Sequence, residues 1–325
     1  MKPLRKHAAL AIDGGGIRGT MVAKALAMVE AELGHPFIDL FQMTAGTSTG
    51  SIISATLAAG IKAADIHALY VRLGNAIFHK TLRSYWPLSG YKFSNEPLTN
   101  ALRDVLGERT LGELWNAPRP LDAIITVRDL VENRTRFLKS WKPEYQTWKL
   151  WRAVLCSSSV PTYFPVVDGR YVDGGVGSYT NPCYIAAWEA THVLKWDPHE
   201  TTVISIGTGR VPGVLKPGQA ARFNALQWIR PLIDTFLADA NDQQVRVVQR
   251  SFAGLDFRRF QVNLVPPVEI DDPAGIPALT RWGETLGKMI LNDEVDKDVD
   301  RVPAELREPA ELRVPDSMAE GRITG

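Results

Sequence analysis

Apolar and polar positions along the first ninety residues fall into blocks that alternate between strand and helix. The run "AALAI" (Ala8 to Ile12) is apolar throughout and stops at Asp13 and three glycines, which predicts a buried strand closed by a glycine turn. The segment Thr20 to Leu33 is rich in Ala, Leu, Met and Glu and ends before Gly34, as a helix should. "LFQMTA" (Leu40 to Ala45) reads as a second strand, and "SIISATLAAG" (Ser51 to Gly60) as a second helix closed by Gly60. Leu121 to Asp129 and Thr201 to Gly209 are further buried strands, with a helix around Cys183 to Leu194 between them. A Pro/Gly-rich loop spans Pro212 to Gly218, and helical segments follow through Arg250. Near-continuous apolar strands separated by helices predict an α/β chain with a parallel sheet covered by helices. With no internal repeat and no clean linker, residues 7–292 read as one domain. Residues 293–325 are polar, carry Pro303, Pro309 and Pro315, and read as a loosely packed tail.

Composition changes this picture little. Of 325 residues, 45% are hydrophobic and 22% charged, enough to bury a sizeable core. The net charge of +1 gives no electrostatic reason to bind nucleic acid or an anionic membrane. It hides an asymmetry: residues 293–325 hold ten acidic side chains against five Lys and Arg, a balance of −5, which leaves +6 on the rest. Cys156 and Cys183 are too few for a disulfide framework and lack metal-ligand spacing. The basic N-terminus is followed by an apolar run too short for a signal peptide or a transmembrane helix. A soluble, cytoplasmic protein is the expectation.

Three glycine-flanked stretches carry candidate chemistry. Gly46-Thr47-Ser48-Thr49-Gly50 puts a serine between two glycines where a strand runs into a helix rich in small residues. That is the setting of a nucleophile elbow, with helix N–H groups beside the hydroxyl. A Gly/Ser turn without chemistry has the same composition. The second stretch, Asp13-Gly14-Gly15-Gly16-Ile17-Arg18-Gly19, lets backbone N–H groups approach a phosphate or an oxyanion unobstructed. The P-loop pattern is absent. Gly14, Gly16 and Gly19 match a dinucleotide fingerprint, but Asp39 precedes the strand "LFQMTA" that it should follow, and Ser48 occupies the ribose-binding position. This favours an oxyanion loop. Third, Asp173 ends a short strand before Gly174-Gly175 and projects from a turn with little cover, although Asp-Gly is also an ordinary turn signal.

In this order the three stretches resemble the patatin-like phospholipase family. The similarity extends to "SSSVPTYFP" (Ser157 to Pro165), Asn181-Pro182 and "SIGTG" (Ser205 to Gly209), roughly residues 7 to 265. The resemblance implies a three-layer α/β/α fold with a mostly parallel central sheet. It also implies a Ser48 nucleophile, an Asp173 base and an oxyanion hole from Gly14, Gly15 and Gly16, with Thr49 N–H adding a donor. Arg18 would hold the glycine loop or face substrate charge, and Gly19, Gly46, Gly50, Gly174 and Gly175 complete the motifs. The implied activity is lipid acyl hydrolysis on phospholipids, lysophospholipids, galactolipids or neutral esters through an acyl-enzyme. It needs no metal or cofactor and involves no nucleic acid. Plant members also serve as storage protein.

Two rivals stay open. An α/β-hydrolase triad would recruit His192 or His199, both in a polar stretch that reads as solvated surface, and a storage or binding protein would need no chemistry. Trp141, Tyr145, Trp148 and Trp151, interleaved with lysines, read either as aromatics packed on the core or as a lip for transient contact with a membrane surface; the packed reading is favoured. "YWPLSGYKF" (Tyr85 to Phe93) reads as a lid or a loop. Oligomeric state is not encoded in any of these features.

Overall fold

The computed structural model describes residues 1–81, 90–211, 215, 218–224, 227–228 and 241–297. Its strands are β1 (His7–Ile12), β2 (Met43–Gly46), β3 (Asp122–Asp129), β4 (Arg134–Lys139), β5 (Tyr171–Asp173), β6 (Thr201–Ile206) and β7 (Asp256–Phe260). The helices are α1 (Gly19–Leu33), α2 (Thr49–Ala58), α3 (Ala63–Ile77), α4 (Glu96–Leu106), α5 (Leu111–Trp115), α6 (Pro143–Gln146), α7 (Leu150–Ser158), α8 (Cys183–Trp188), α9 (241–251) and α10 (Ile276–Asn292). The sheet order is β4-β3-β2-β1-β6-β7, with β5 also paired to β3. Pairings of β1, β2, β3, β6 and β7 are parallel, and β4 and β5 run antiparallel to β3.

Both faces of the sheet are covered, and the central strands β1, β2 and β6 are buried at every position but His7. Leu10 and Ile12 of β1 and Ile204 of β6 point to one face, under α1, α3 and α10; Ala123, Ile125 and Val127 of β3 continue that face under α4, α5 and α7. Ala9, Ala11, Met43, Ala45, Ile124 and Val203 point the other way, against α8 and α9. The mixed α/β architecture is therefore three layers around a mostly parallel sheet. Helix α10 buries Ile276, Leu279, Gly283, Leu286, Gly287 and Ile290, a stripe at helical spacing. Gly283 permits close packing on α1, since a Cβ there would lie 2.7 Å from the Met21 carbonyl oxygen.

Strand β2 starts at Met43, three residues later than the apolar run suggests, because Phe37–Leu40 forms a 3-10 turn after Pro36. The acidic segment starts with ordered contacts. Asp293 pairs with Arg258 and Lys2, Asp296 pairs with Arg210, and Asp296 N–H donates to the Arg259 carbonyl. Residues 298–325, most of the expected tail, lie outside the described residues, as do residues 82–89, which take in 85–89 of the "YWPLSGYKF" segment, and most of Pro212 to Gly218. Among the described residues no helix is long and apolar enough to cross a membrane.

Candidate active site

The sheet register places Ser48 and Asp173 together. β2 pairs with β3 as far as Gly46↔Ile125, and then the chain turns away through Thr47 and Ser48 into α2. Beyond that point β5 takes the vacated edge of β3, with Asp173 opposite Val127. The base candidate thus lies where the nucleophile strand stops. Ser48 has φ 54° and ψ −126°, a conformation costly for a side chain with a Cβ, and it caps the N-terminus of α2. Surrounding contacts enforce that turn. Ser48 N–H donates to Ser157 Oγ at 2.9 Å, and Gly50 N–H donates to the Thr47 carbonyl at 2.8 Å. Gly50 is squeezed against the backbone end of β1, where a Cβ would lie 2.7 Å from the Asp13 carbonyl oxygen.

The glycine loop after β1 faces this serine. Gly14 N–H donates to the Thr180 carbonyl at 2.9 Å, so it is already engaged. Gly14 therefore shapes the loop instead of supplying the donor expected of it. The N–H groups of Gly15, Gly16 and Thr49 have no acceptor among the described residues. All three residues line the pocket with Ser48 and Asp173. Thr208 Oγ1 donates to the Gly14 carbonyl at 2.6 Å and packs where a Gly15 Cβ would go. Gly16 sits at φ 57° against the Ile270 carbonyl, so alanine would strain the loop there as well as crowd it. Arg18 Nε donates to the Val268 carbonyl at 2.7 Å and its side chain is absent from the pocket lining, which makes it a loop support. Gly19 lies close to Thr49 and Tyr70, with a Cβ there 2.7 Å from Tyr70 Oη.

Asp173 is buried, only 2% exposed, which corrects the expectation of a carboxylate with little cover. The 3-10 turn Gly174–Gly177 folds over it, and Gly175 N–H donates to Asp173 Oδ1 at 2.7 Å. Gly174 fits tightly beside Thr126, where a Cβ would lie 2.6 Å from the backbone of β3. Burial pushes the Asp173 carboxyl up to about 7, against the opposing pulls of the Ser48 hydroxyl and the Gly175 N–H. Ser48 is thus near enough to influence the carboxylate, while among the described residues Asp173 Oδ2 meets no donor in hydrogen-bonding geometry. The pair is adjacent, with the two side chains not yet in hydrogen-bonding geometry.

The pocket continues from this polar end into an apolar slot. Ile17, Ile52, Ile77, Phe78, Leu98, Val160 and Phe164 form its wall. Phe93, the last residue of "YWPLSGYKF", is buried behind that wall against Phe78 and Phe164. The four aromatics of the tryptophan-rich segment do not line the pocket. Trp148 packs edge-on to Tyr171, while Arg103 and Arg152 stack on Trp151 and Trp148. They belong to the packed layer.

No histidine lines the pocket. His192 is exposed and stacked on Trp188, and His199 is exposed against Gly254. Among the described residues no group of three or more His, Cys, Asp or Glu is arranged to hold a metal. Several supporting residues have roles that the motifs do not assign. Ser157 and Thr180 hold the two loops, and Tyr70 Oη meets Thr49 Oγ1. Below the glycine loop, buried Asp13 is held by the two terminal guanidinium nitrogens of Arg259, with Nη1 to Asp13 Oδ1 at 2.8 Å.

Residues 10–187, more than half of the chain, match the family Patatin-like phospholipase. An intracellular phospholipase A2 of Caenorhabditis elegans is 28% identical over 263 residues, covering 74% of this chain but only 23% of that protein. A cUMP-AMP-activated phospholipase of Escherichia coli is 30% identical over 230 residues, covering 68% of this chain and 69% of that protein. Among solved structures, VipD from Legionella pneumophila aligns over 89% of this chain and 67% of its own with a TM-score of 0.45 and 12% identity. The chain belongs to the patatin-like phospholipase family.

Proposed function

We propose that the protein is a serine-dependent lipid acyl hydrolase that works through a Ser48–Asp173 dyad. The observation that carries this reading is a strained serine at a helix N-terminus sharing one apolar pocket with a buried, weakly acidic aspartate. Ser48 Oγ attacks the ester carbonyl and its proton passes to Asp173. The carbonyl oxygen gains charge and is met by the N–H groups of Gly15, Gly16 and Thr49 at the positive end of α2. The proton then goes to the leaving alcohol, and an acyl-Ser48 ester remains for water to hydrolyse. An ordinary aspartate is too weak a base for this step, and burial corrects that.

The apolar slot suits a fatty acyl chain, and the phospholipases among the relatives favour glycerophospholipids as substrate class. The test is a panel of phospholipid, lysophospholipid, galactolipid and triacylglycerol vesicles, with released fatty acids and lyso products identified by mass spectrometry. Fatty acid release from a phospholipid supports the reading. Absence of release from every lipid, with p-nitrophenyl acyl esters also untouched, contradicts it.

Two further results are expected. Because Asp173 must be ionised to accept the Ser48 proton, kcat/KM for an acyl ester falls about tenfold per pH unit below about 7, on a single ionisation. A flat pH–rate profile through that region contradicts the assignment. His192→Ala and His199→Ala each keep most activity, because both rings lie at the surface outside the pocket. Loss of turnover in either, as complete as in Ser48→Ala, would replace the dyad with a triad.

A further inference from the structure

Three buried oxygens at the polar end of the pocket have no hydrogen-bond partner among the described residues: Asp173 Oδ2, Ser158 Oγ and Thr180 Oγ1. All three residues line the pocket with Ser48, and Ser158 and Thr180 are only 6% and 3% exposed. An unsatisfied buried hydroxyl is costly, so two of them beside a carboxylate oxygen mark a place built for a polar guest. The apolar slot beyond them cannot provide that guest with partners.

Backbone contacts put both residues close to the dyad. Ser158 ends α7 between two residues that touch the pair: Ser157 Oγ accepts Ser48 N–H at 2.9 Å, and the Ser159 carbonyl accepts Asp173 N–H at 3.0 Å. Thr180 approaches from the loop before α8. Its carbonyl holds Gly14 N–H, and a Cβ on Gly14 would lie 3.2 Å from Thr180 Cγ2 and 3.1 Å from Ser48 Cβ. The Thr180 methyl and the Ser48 Cβ therefore both crowd the space beside Gly14.

We propose that the Ser158 and Thr180 hydroxyls, together with Asp173 Oδ2, seat the water that hydrolyses the acyl-enzyme. This rests on the acyl-Ser48 reading above. A small polar guest of this kind needs two to four polar partners, and the pocket lining holds three unpartnered oxygens. Asp173 Oδ2 accepts one water proton, and the hydroxyls fix the remaining proton and one lone pair, leaving the other lone pair for the acyl carbon. In the step, water oxygen forms the new bond to the acyl carbon and its proton goes to Asp173. The bond from acyl carbon to Ser48 Oγ then breaks, the proton passes to Ser48 Oγ, and the fatty acid leaves. Neither hydroxyl gains or loses a proton overall. Acylation does not use this water, so the two hydroxyls matter for one half-reaction only.

The test uses the full chain with Ser158→Ala, Thr180→Val and Thr180→Ser, a p-nitrophenyl acyl ester, stopped-flow detection of p-nitrophenol and acid-quenched intact mass. Thr180→Val keeps the methyl contact and removes only the hydroxyl. Ser158→Ala and Thr180→Val are each expected to lower kcat roughly tenfold, the worth of one lost hydrogen bond. KM falls in parallel, kcat/KM stays near wild type, and an acyl adduct accumulates on Ser48 after a burst. Thr180→Ser restores turnover. Unchanged kcat, or kcat/KM falling with kcat and no extra adduct, overturns the proposal. Failure of the underlying reading looks different: no adduct in any protein, wild type included, and esterase activity that survives Ser48→Ala.

Discussion

Ser48→Ala is expected to lower kcat/KM on an acyl ester by roughly 10⁴-fold or more, as losing the nucleophile of an acyl-enzyme mechanism does. Its melting temperature should stay close to wild type. The backbone contacts that hold the turn, Ser48 N–H to Ser157 Oγ and Ser51 N–H to the Ser48 carbonyl, do not involve the Ser48 hydroxyl. Alanine retains the Cβ and meets the same backbone strain at φ 54° as serine does. What disappears is the one oxygen placed between the α2 N-terminus and Asp173. Near-normal turnover in a well-folded Ser48→Ala protein removes Ser48 as the nucleophile.

Asp173→Asn should lower kcat/KM by about 10²–10⁴-fold, the usual contribution of a positioned general base. Asn keeps the size of Asp and an oxygen for the Gly175 N–H, so the turn persists. It cannot accept the Ser48 proton, so acylation stalls and no burst appears. Stability supplies an independent signature. In the folded protein burial pushes the Asp173 carboxyl up to about 7, against 3.8 for an ordinary aspartate in the unfolded chain. Folding therefore takes up a proton in that window, and the contribution of Asp173 to stability, full below the unfolded pKa, is lost as pH rises through the folded one. Asn does not ionise and loses nothing there. The melting temperature of Asp173→Asn should thus rise relative to wild type as pH passes from about 4 to above 7, with a gain of a few kcal/mol at one pKa unit per 1.4 kcal/mol. Normal turnover, or a melting difference independent of pH, contradicts the role.

The central strands were legible because burial on both faces gives them apolar cores, such as Ala8 to Ile12 in β1 and Ala123 to Ile125 in β3. Edge strand β4, "RTRFLK", was not, since an edge needs no apolar run and only Leu138 is fully buried. The pocket residues announced themselves as glycine-flanked motifs, a local signal. Residues joined only by the fold gave none. Arg259 lies in an unremarkable basic pair on β7, yet its guanidinium is held by Asp13 under the glycine loop. In the same way, Gly14 looks like any oxyanion donor until the Thr180 carbonyl is seen to occupy its N–H. The cover over Asp173 comes from the turn of its own glycines, whose path the Asp-Gly-Gly pattern leaves unspecified.

The most direct measurement is covalent labelling with a fluorophosphonate, read by intact mass and peptide mapping at neutral pH. The dyad account predicts one adduct per chain on the peptide that carries Ser48, none in Ser48→Ala, strongly slowed labelling in Asp173→Asn and normal labelling in His192→Ala and His199→Ala. An adduct on another serine, or labelling that needs either histidine, would contradict it.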